Sequence, residues 1–310
     1  MSISPRLLLL LALPPMLWAG NVVFARMVIA DIDPLLLNGL RWTLALALLL
    51  PLGFGVMRDP ARRRLWLRHW PYFAALGLLG IGAFNGLQYM ALQTSTPLNV
   101  TLIAASLPLW TMAVGILAFR TLPRRMDVAG ALISLIGVAV VLSRGEVSAL
   151  LTIQFVTGDL LMILAVIDWA FYSWLLIRPP KGLAPEGRLQ WSWSESLALQ
   201  TLFGVPWALA AAGAVGAAGM ATPLVPSLAL GIVLVFLAIG PSIIAYRCWG
   251  LAVAAAGPGL AALFYNFTPL LAGAMSAVLI NEWPKPYHGV ALGLLVIGVL
   301  VSTRGRGKTA

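Results

Sequence analysis

Long apolar runs are the feature that most constrains how this chain can fold. Ten stretches reach about 20 residues, the length a helix needs to cross a bilayer, whereas buried core helices use about 10–14. Of the 310 residues, 61% are hydrophobic and 10% are charged, against about 25% charged in soluble domains. We therefore expect an all-α membrane protein with ten transmembrane helices, at residues 7–29, 34–56, 71–93, 98–119, 127–143, 157–178, 195–216, 227–249, 257–280 and 287–303.

The positions of the basic residues indicate the topology. Fifteen of the 20 Lys and Arg fall at the two termini and in alternate loops, and only Arg26, Arg144 and Lys285 fall on the opposite side. Because loops rich in Lys and Arg stay in the cytoplasm, both termini are expected to be cytoplasmic. The net charge of +10 is thus a topology signal and does not indicate nucleic-acid binding.

Several classes of chemistry are not expected from the composition. A lone cysteine, Cys248, cannot form an intrachain disulfide or a thiolate metal cluster. The sequence contains no phosphate-binding loop, and its predicted spans hold no cluster of metal ligands or nucleophile and base. We therefore expect no enzyme activity, catalytic residue, cofactor or metal site.

The second half of the chain repeats part of the first. At an offset of 161 residues, about 50 residues align without a gap, including Pro97 on Pro258, Pro108 on Pro269, and Pro123 on Pro284. The boundary predicts two five-helix halves, 1–150 and 151–310. Because five is odd, equivalent helices cross in opposite directions, which makes the repeats inverted, as in many secondary transporters.

The motifs in both halves resemble those of a known family. They are Trp18-Ala19-Gly20-Asn21, Leu40-Arg41 after Pro34, Leu107-Pro108-Leu109, Thr268-Pro269-Leu270 and Asn281-Glu282. In order and spacing they resemble the EamA-type drug/metabolite transporters, and within them the YddG-type exporters of aromatic amino acids. The resemblance implies export of small organic molecules by alternating access across a bacterial inner membrane. Thr121 stands where the repeat has Glu282, so an acid at this position is present in one half only.

Two charged residues lie well inside predicted spans. Asp168 is at the middle of span six, and Arg41 is about seven residues into span two, at a depth within about 6 Å of it. A charge at this depth usually faces a partner or a cavity. We predict that the two interact. A structural ion pair is one interpretation; recognition of a substrate carboxylate by Arg41 and protonation of Asp168 during transport are the others.

Aromatic and amide side chains inside the spans predict a substrate cavity. Trp169 and Tyr172, Tyr246 and Trp249, and Asn85 and Tyr89 each share a helix face by their spacing. A mixture of apolar rings and a few polar groups is typical of small-molecule sites; polar contacts between helices are the alternative. The candidates are Trp18, Asn21, Arg41, Asn85, Tyr89, Trp110, Asp168, Trp169, Tyr172, Tyr246, Trp249, Tyr265 and Asn266.

Proline and glycine predict local bends and close helix contacts. Pro108 and Pro269 occupy equivalent positions in spans four and nine, where each should kink its helix, either as a gate or as a static bend. The pairs Gly82/Gly86 and Gly289/Gly293 have the four-residue spacing that allows close helix packing.

The partners expected are a small-molecule substrate, the lipid bilayer, and protons if Asp168 titrates. An exporter of other amino acids, metabolites or drugs remains an alternative. So does a membrane scaffold or sensor that binds without transporting.

The topology predicts that the loop after span five faces outward. A Ser148→Cys substitution in a Cys248→Ala background should react with a membrane-impermeant maleimide in intact cells. Labelling that appears only after the cells are permeabilised would contradict this orientation.

Overall fold

The computed structural model describes residues 4–28, 31–94, 103–143, 145–146, 148, 156–183, 192–280 and 285–304. Every regular element among them is helical. The α-helices are α1 (Pro5–Val28), α2 (Pro34–Gly53), α3 (Gly55–Arg58), α4 (Pro60–Arg68), α5 (Trp70–Gly77), α6 (Phe84–Thr94), α7 (Leu107–Leu117), α8 (Arg125–Leu142), α9 (Thr157–Leu176), α10 (Trp193–Ala217), α11 (Leu228–Leu237), α12 (Ala245–Ala256), α13 (Pro258–Tyr265), α14 (Thr268–Ile280) and α15 (Pro286–Thr303).

The lengths of the helices confirm a multi-pass membrane protein. Seven helical stretches in the described residues are long and apolar enough to cross a membrane: Pro5–Ala25, Pro34–Gly53, Trp70–Ala91, Thr157–Leu176, Trp193–Ala217, Leu228–Ala256 and Pro286–Thr303. Spans four, five and nine of the prediction correspond to α7, α8 and the interrupted pair α13 and α14. The total of ten crossings therefore stays a prediction.

Two membrane-spanning stretches contain a π-helical segment. Segment π1 (Leu78–Ala83) joins α5 to α6, and segment π2 (Ala238–Ile244) joins α11 to α12. At the offset of 161 residues, 78–83 corresponds to 239–244, so the two segments occupy equivalent positions. A π-helical turn widens the helix and changes its hydrogen-bond pattern, and such turns are frequent at functional sites.

Spans four and nine are interrupted beside the two prolines for which kinks were predicted. Turns at 105–106 and 266–267 precede α7 and α14, and Pro108 and Pro269 are the second residues of those helices. Proline is accepted there because the first amides of a helix have no partner within it. The two interruptions are again 161 residues apart. A gating role for them stays a prediction.

The helices of the two predicted halves are interleaved. Helix α6 packs on α9, and its counterpart α12 packs on α1. In the same way, α7 packs on α9 while its counterpart α14 packs on α1. The largest buried cluster accordingly draws residues from both halves, among them Trp42, Trp169 and Trp249.

Helices α8 and α15 approach each other closely through two glycines. A Cβ added to Gly130 would lie 2.5 Å from the Gly298 carbonyl oxygen, and one added to Gly298 would lie 2.6 Å from that of Gly130. Gly82 makes the predicted tight contact, since a Cβ there would lie 2.8 Å from Trp207 Cβ. The contact predicted for Gly289 and Gly293 is wrong for the described residues, because a Cβ at either would meet none of their atoms within 4 Å.

This difference between glycines predicts the effect of adding one methyl group. Gly298→Ala should destabilise the protein by about 1–3 kcal/mol through overpacking against α8, measured by thermal unfolding in detergent. Gly293→Ala, on the same helix, is the matched control and should unfold at the native temperature. Equal behaviour of the two variants would show that α8 and α15 do not meet at Gly298.

Candidate functional site

A cluster of aromatic rings from four helices lies at the centre of the bundle. The Trp18 ring of α1 contacts Trp169 of α9, Tyr246 and Trp249 of α12, and Tyr265 of α13, with centroid distances of 5.3, 6.2, 5.4 and 5.6 Å. These edge-on and tilted arrangements are the ones that aromatic pairs prefer. All five residues were candidates from the sequence, and the structure brings them together.

Two further rings, which sequence reasoning did not identify, also belong to the cluster. Trp42 lies 4.9 Å from the Tyr246 ring, and Phe84 lies 4.7 Å from the Trp169 ring. Trp42 could have been identified from the sequence, because it directly follows the candidate Arg41. Phe84 is an apolar residue in an apolar span and gave none. Tyr172 also belongs here, 4.9 Å from the Trp169 ring, and its hydroxyl donates to Gln200 at 3.1 Å.

Arg41 is buried beside this cluster and is held by two neutral amides. Its Nη1 donates to Asn21 Oδ1 at 2.7 Å and its Nε donates to Asn38 Oδ1 at 3.1 Å. Asn38 in turn donates to the Ile81 carbonyl of π1 at 3.3 Å. Asn38 was not a candidate, although its i−3 spacing from Arg41 was a usable signal. These amides orient the guanidinium without neutralising its charge.

The predicted interaction between Arg41 and Asp168 as an ion pair is wrong. No carboxylate of the described residues lies within 4.0 Å of Arg41. Asp168 is half-buried, and its Oδ2 is fully buried without a hydrogen-bond partner in the described part of the chain. Arg41 Cζ nevertheless lies 5.3 Å from the centroid of the Trp42 ring, and Asp168 directly precedes Trp169 on α9. Similar depth along two helices did not make them face each other.

Each π segment has a carbonyl that accepts a hydrogen bond from a side chain of the other predicted half. The Tyr246 hydroxyl donates to the Gly80 carbonyl of π1, and Trp18 Nε1 donates to the Pro241 carbonyl of π2 at 3.2 Å. Gly80 and Pro241 are 161 residues apart and therefore equivalent. Asn85 and Tyr246 are also equivalent, and Asn85 Nδ2 donates to the Tyr246 hydroxyl at 3.5 Å. Each predicted half thus satisfies a carbonyl of the other.

Several buried polar atoms in and around this cluster have no hydrogen-bond partner among the described residues. They are Trp42 Nε1, Tyr89 Oη, Asp168 Oδ2, Trp169 Nε1, Asn266 Nδ2 and Oδ1, and Thr268 Oγ1. Most buried polar side-chain atoms in proteins are bonded, so each exception requires an explanation. Asn266 is the clearest case, because its fully buried amide uses neither its donor nor its acceptor. These atoms are donors and acceptors that no hydrogen bond to a described residue satisfies.

Trp110 is the candidate that the structure leaves at the margin. It is half-buried on α7 and packs against the largest cluster of buried hydrophobic residues. Among the described residues its ring contacts no ring of the site. Glu282, which belongs to a motif of the sequence, lies outside the described residues.

A multi-pass helical protein with charged and amide side chains buried among aromatic rings is characteristic of a membrane transporter, since such groups mark substrate or ion pathways at membrane depth. Among the described residues no group of three metal-ligating side chains occurs.

Comparisons with known proteins support the transporter class. Residues 6–143 match the EamA-like transporter family. An uncharacterized transporter of Archaeoglobus fulgidus is 26% identical over 298 residues, covering 95% of this chain and 96% of the relative. The uncharacterized inner membrane transporter YedA of Escherichia coli is 26% identical, over 94% of this chain and 88% of its own length. The first part of the chain is thus similar to the EamA-like transporter family, and relatives that span nearly the whole chain are named transporters.

The fold is also found in solved structures. One crystal structure superposes with a TM-score of 0.72 over 96% of each chain, at 21% sequence identity. A similarity at this level of identity shows the fold alone.

The hydrogen bond from Tyr246 to Gly80 predicts a difference between two tyrosines of the cluster. Tyr246→Phe leaves the Gly80 carbonyl unpaired and should cost about 1–3 kcal/mol of stability, measured by thermal unfolding in detergent. Tyr265→Phe is the control, because the Tyr265 hydroxyl bonds to no described residue, and it should be near neutral. Equal stability of the two variants would contradict a structural role for the Tyr246 bond.

Proposed function

We propose that the chain is a secondary transporter that exports aromatic amino acids across the bacterial inner membrane by alternating access. The observation that carries the proposal is an aromatic cluster bordered by a buried arginine and a carboxylate that are not paired with each other. A zwitterionic amino acid with an aromatic side chain has the complementary groups. The resemblance to YddG-type exporters supports the same substrate class.

Arg41 is suited to bind the carboxylate of the substrate. Its Nε and Nη1 are engaged by Asn38 and Asn21, and its other N–H groups make no hydrogen bond to a described residue. An isolated buried charge is costly, and pairing it with an anion lowers the cost. Guanidinium and carboxylate groups also form strong, directional hydrogen bonds. A substrate carboxylate would therefore complete the coordination that the two amides begin.

Asp168 and the rings account for the remaining parts of the substrate. The Asp168 carboxylate can accept from the ammonium group, and the face of Trp169, the next residue, can stabilise a cation nearby. The rings of Trp18, Trp249 and Tyr265 offer surfaces on which an aromatic side chain can pack in the geometries they already use with one another. Protonation of Asp168 in place of ammonium binding would couple transport to protons.

Alternating access is supported by the equivalence of the two halves, 1–150 and 151–310. The π segments, the interrupted helices, and the carbonyls of Gly80 and Pro241, each of which accepts a side-chain hydrogen bond, recur at the same offset. Asn85 and Tyr246 are equivalent and touch each other, as residues near a two-fold axis must. The family match also ends at residue 143. Exchange of the two halves' conformations would then open the site to each side in turn.

The location and orientation rest on independent observations. The bias of Lys and Arg toward the termini and alternate loops supports cytoplasmic termini. A relative of similar length is named an inner membrane transporter. Export is the direction that the family resemblance implies.

Substrate analogues test the two charged residues separately. Proteoliposomes should show counterflow of labelled phenylalanine, competed by unlabelled phenylalanine more strongly than by phenethylamine, which lacks the carboxylate, or by 3-phenylpropionate, which lacks the ammonium. Arg41→Gln should weaken binding of phenylalanine by about ten- to a hundredfold, the value of a hydrogen bond to a charged group, and leave phenethylamine unaffected. Asp168→Asn should also weaken binding of phenylalanine, and it should leave binding of 3-phenylpropionate, which has no ammonium group, unaffected.

The control is Arg247→Gln, which removes an exposed arginine that stacks on Trp193 outside the cluster. It should retain native selectivity. If Arg41→Gln weakens all three compounds equally, Arg41 has a packing role only. If other metabolites or drugs exchange and aromatic amino acids do not, the substrate assignment is wrong. Binding without counterflow of any compound would indicate a scaffold or sensor.

A further inference from the structure

The short helix α4 has two chemically different faces at the edge of the bundle. Its inward face packs Leu65 and Trp66 against the buried residues Val56 and Phe73. Its outward face carries three exposed arginines and an exposed leucine: Arg63, Arg64, Leu67 and Arg68. The membrane-spanning stretch Trp70–Ala91 begins two residues later. Helix α4 therefore lies where that stretch meets the membrane boundary.

An ion pair fixes α4 to the second half of the chain. Arg62 Nη1 lies 2.5 Å from Glu195 Oε1 at the start of α10. Glu195 also accepts from the Ser192 backbone amide at 2.8 Å, and Asp59 accepts from the Ala61 amide at 2.8 Å as the cap of α4. The two acidic side chains near α4 are thus engaged by Arg62 and by backbone amides.

The outward arginines have no such partners. Arg63, Arg64 and Arg68 form no ion pair with a carboxylate of the described residues. Beside them Leu67 is 50% exposed and Trp70 is 53% exposed. The surface therefore combines unpaired positive charge with apolar side chains at a membrane boundary.

We propose that this outward face of α4 is a binding surface for anionic phospholipid headgroups. Guanidinium groups bind phosphate oxygens in bidentate geometry, while leucine and tryptophan favour the boundary between headgroups and acyl chains. A soluble acidic protein or a nucleic acid would satisfy the arginines and offer no acyl chain to Leu67 and Trp70. The lipid uses both properties of the surface.

The test is a lipid titration of the full chain, delipidated in detergent and followed by native mass spectrometry. Dioleoyl phosphatidylglycerol should bind more tightly than dioleoyl phosphatidylcholine, which has the same acyl chains. The combined variant Arg63→Gln, Arg64→Gln, Arg68→Gln should lower the affinity for phosphatidylglycerol by about a hundredfold, from the contribution of each arginine near an anionic surface. Its affinity for phosphatidylcholine should not change. Arg62 is retained, so α4 stays attached to α10.

The matched control removes the same charge elsewhere, in the variant Arg6→Gln, Arg120→Gln, Arg125→Gln, which changes three other exposed arginines. It should bind phosphatidylglycerol as the native chain does. An equal loss in both triple variants would show a response to net charge alone and overturn the proposal. Displacement of the lipid by an equal concentration of glycerol 3-phosphate would show a phosphate site without an acyl contribution. It would also overturn the proposal.

Discussion

The bilayer core supplies no hydrogen bonds, so every polar backbone group that leaves the regular helical pattern must find a partner inside the protein. This constraint governs the centre of the structure. The π segments π1 and π2 change the regular pattern, and the carbonyls of Gly80 and Pro241 are satisfied by the side chains of Tyr246 and Trp18. Because each donor belongs to the other predicted half, satisfying the backbone also links residues 1–150 to residues 151–310 at the candidate site.

The same constraint identifies the groups that are available for a ligand. Arg41 is held by neutral amides, and the Asn266 amide is buried without a partner in the described chain. A protein that only needed packing here would be more stable with apolar residues of similar volume. The retention of unpaired polar groups among aromatic rings therefore favours a binding role over a structural one.

The site was predictable in its residue types and only partly in its contacts. Trp18 stood out in the motif Trp18-Ala19-Gly20-Asn21 and Trp169 as an aromatic residue deep in a span, and the structure places their rings 5.3 Å apart. Arg41 and Asp168 stood out because a charge at membrane depth usually faces a partner or a cavity, but their pairing was inferred mainly from depth. Depth sets the position along a helix axis and leaves the direction of the side chain open. Arg41 points to Asn38, one turn away on its own helix.

The sequence by itself determined the membrane class, the approximate positions of the seven long apolar helices, the prolines beside which two further helices bend or break, and the offset of 161 residues. These features follow from local properties: the length of apolar runs, the missing proline amide, and self-similarity. Only the tertiary structure decided the π segments, the bond from Tyr246 to Gly80, and the close approach at Gly298. They depend on how each helix is rotated against its neighbours, and helical spacing defines a face without saying which helix it will meet.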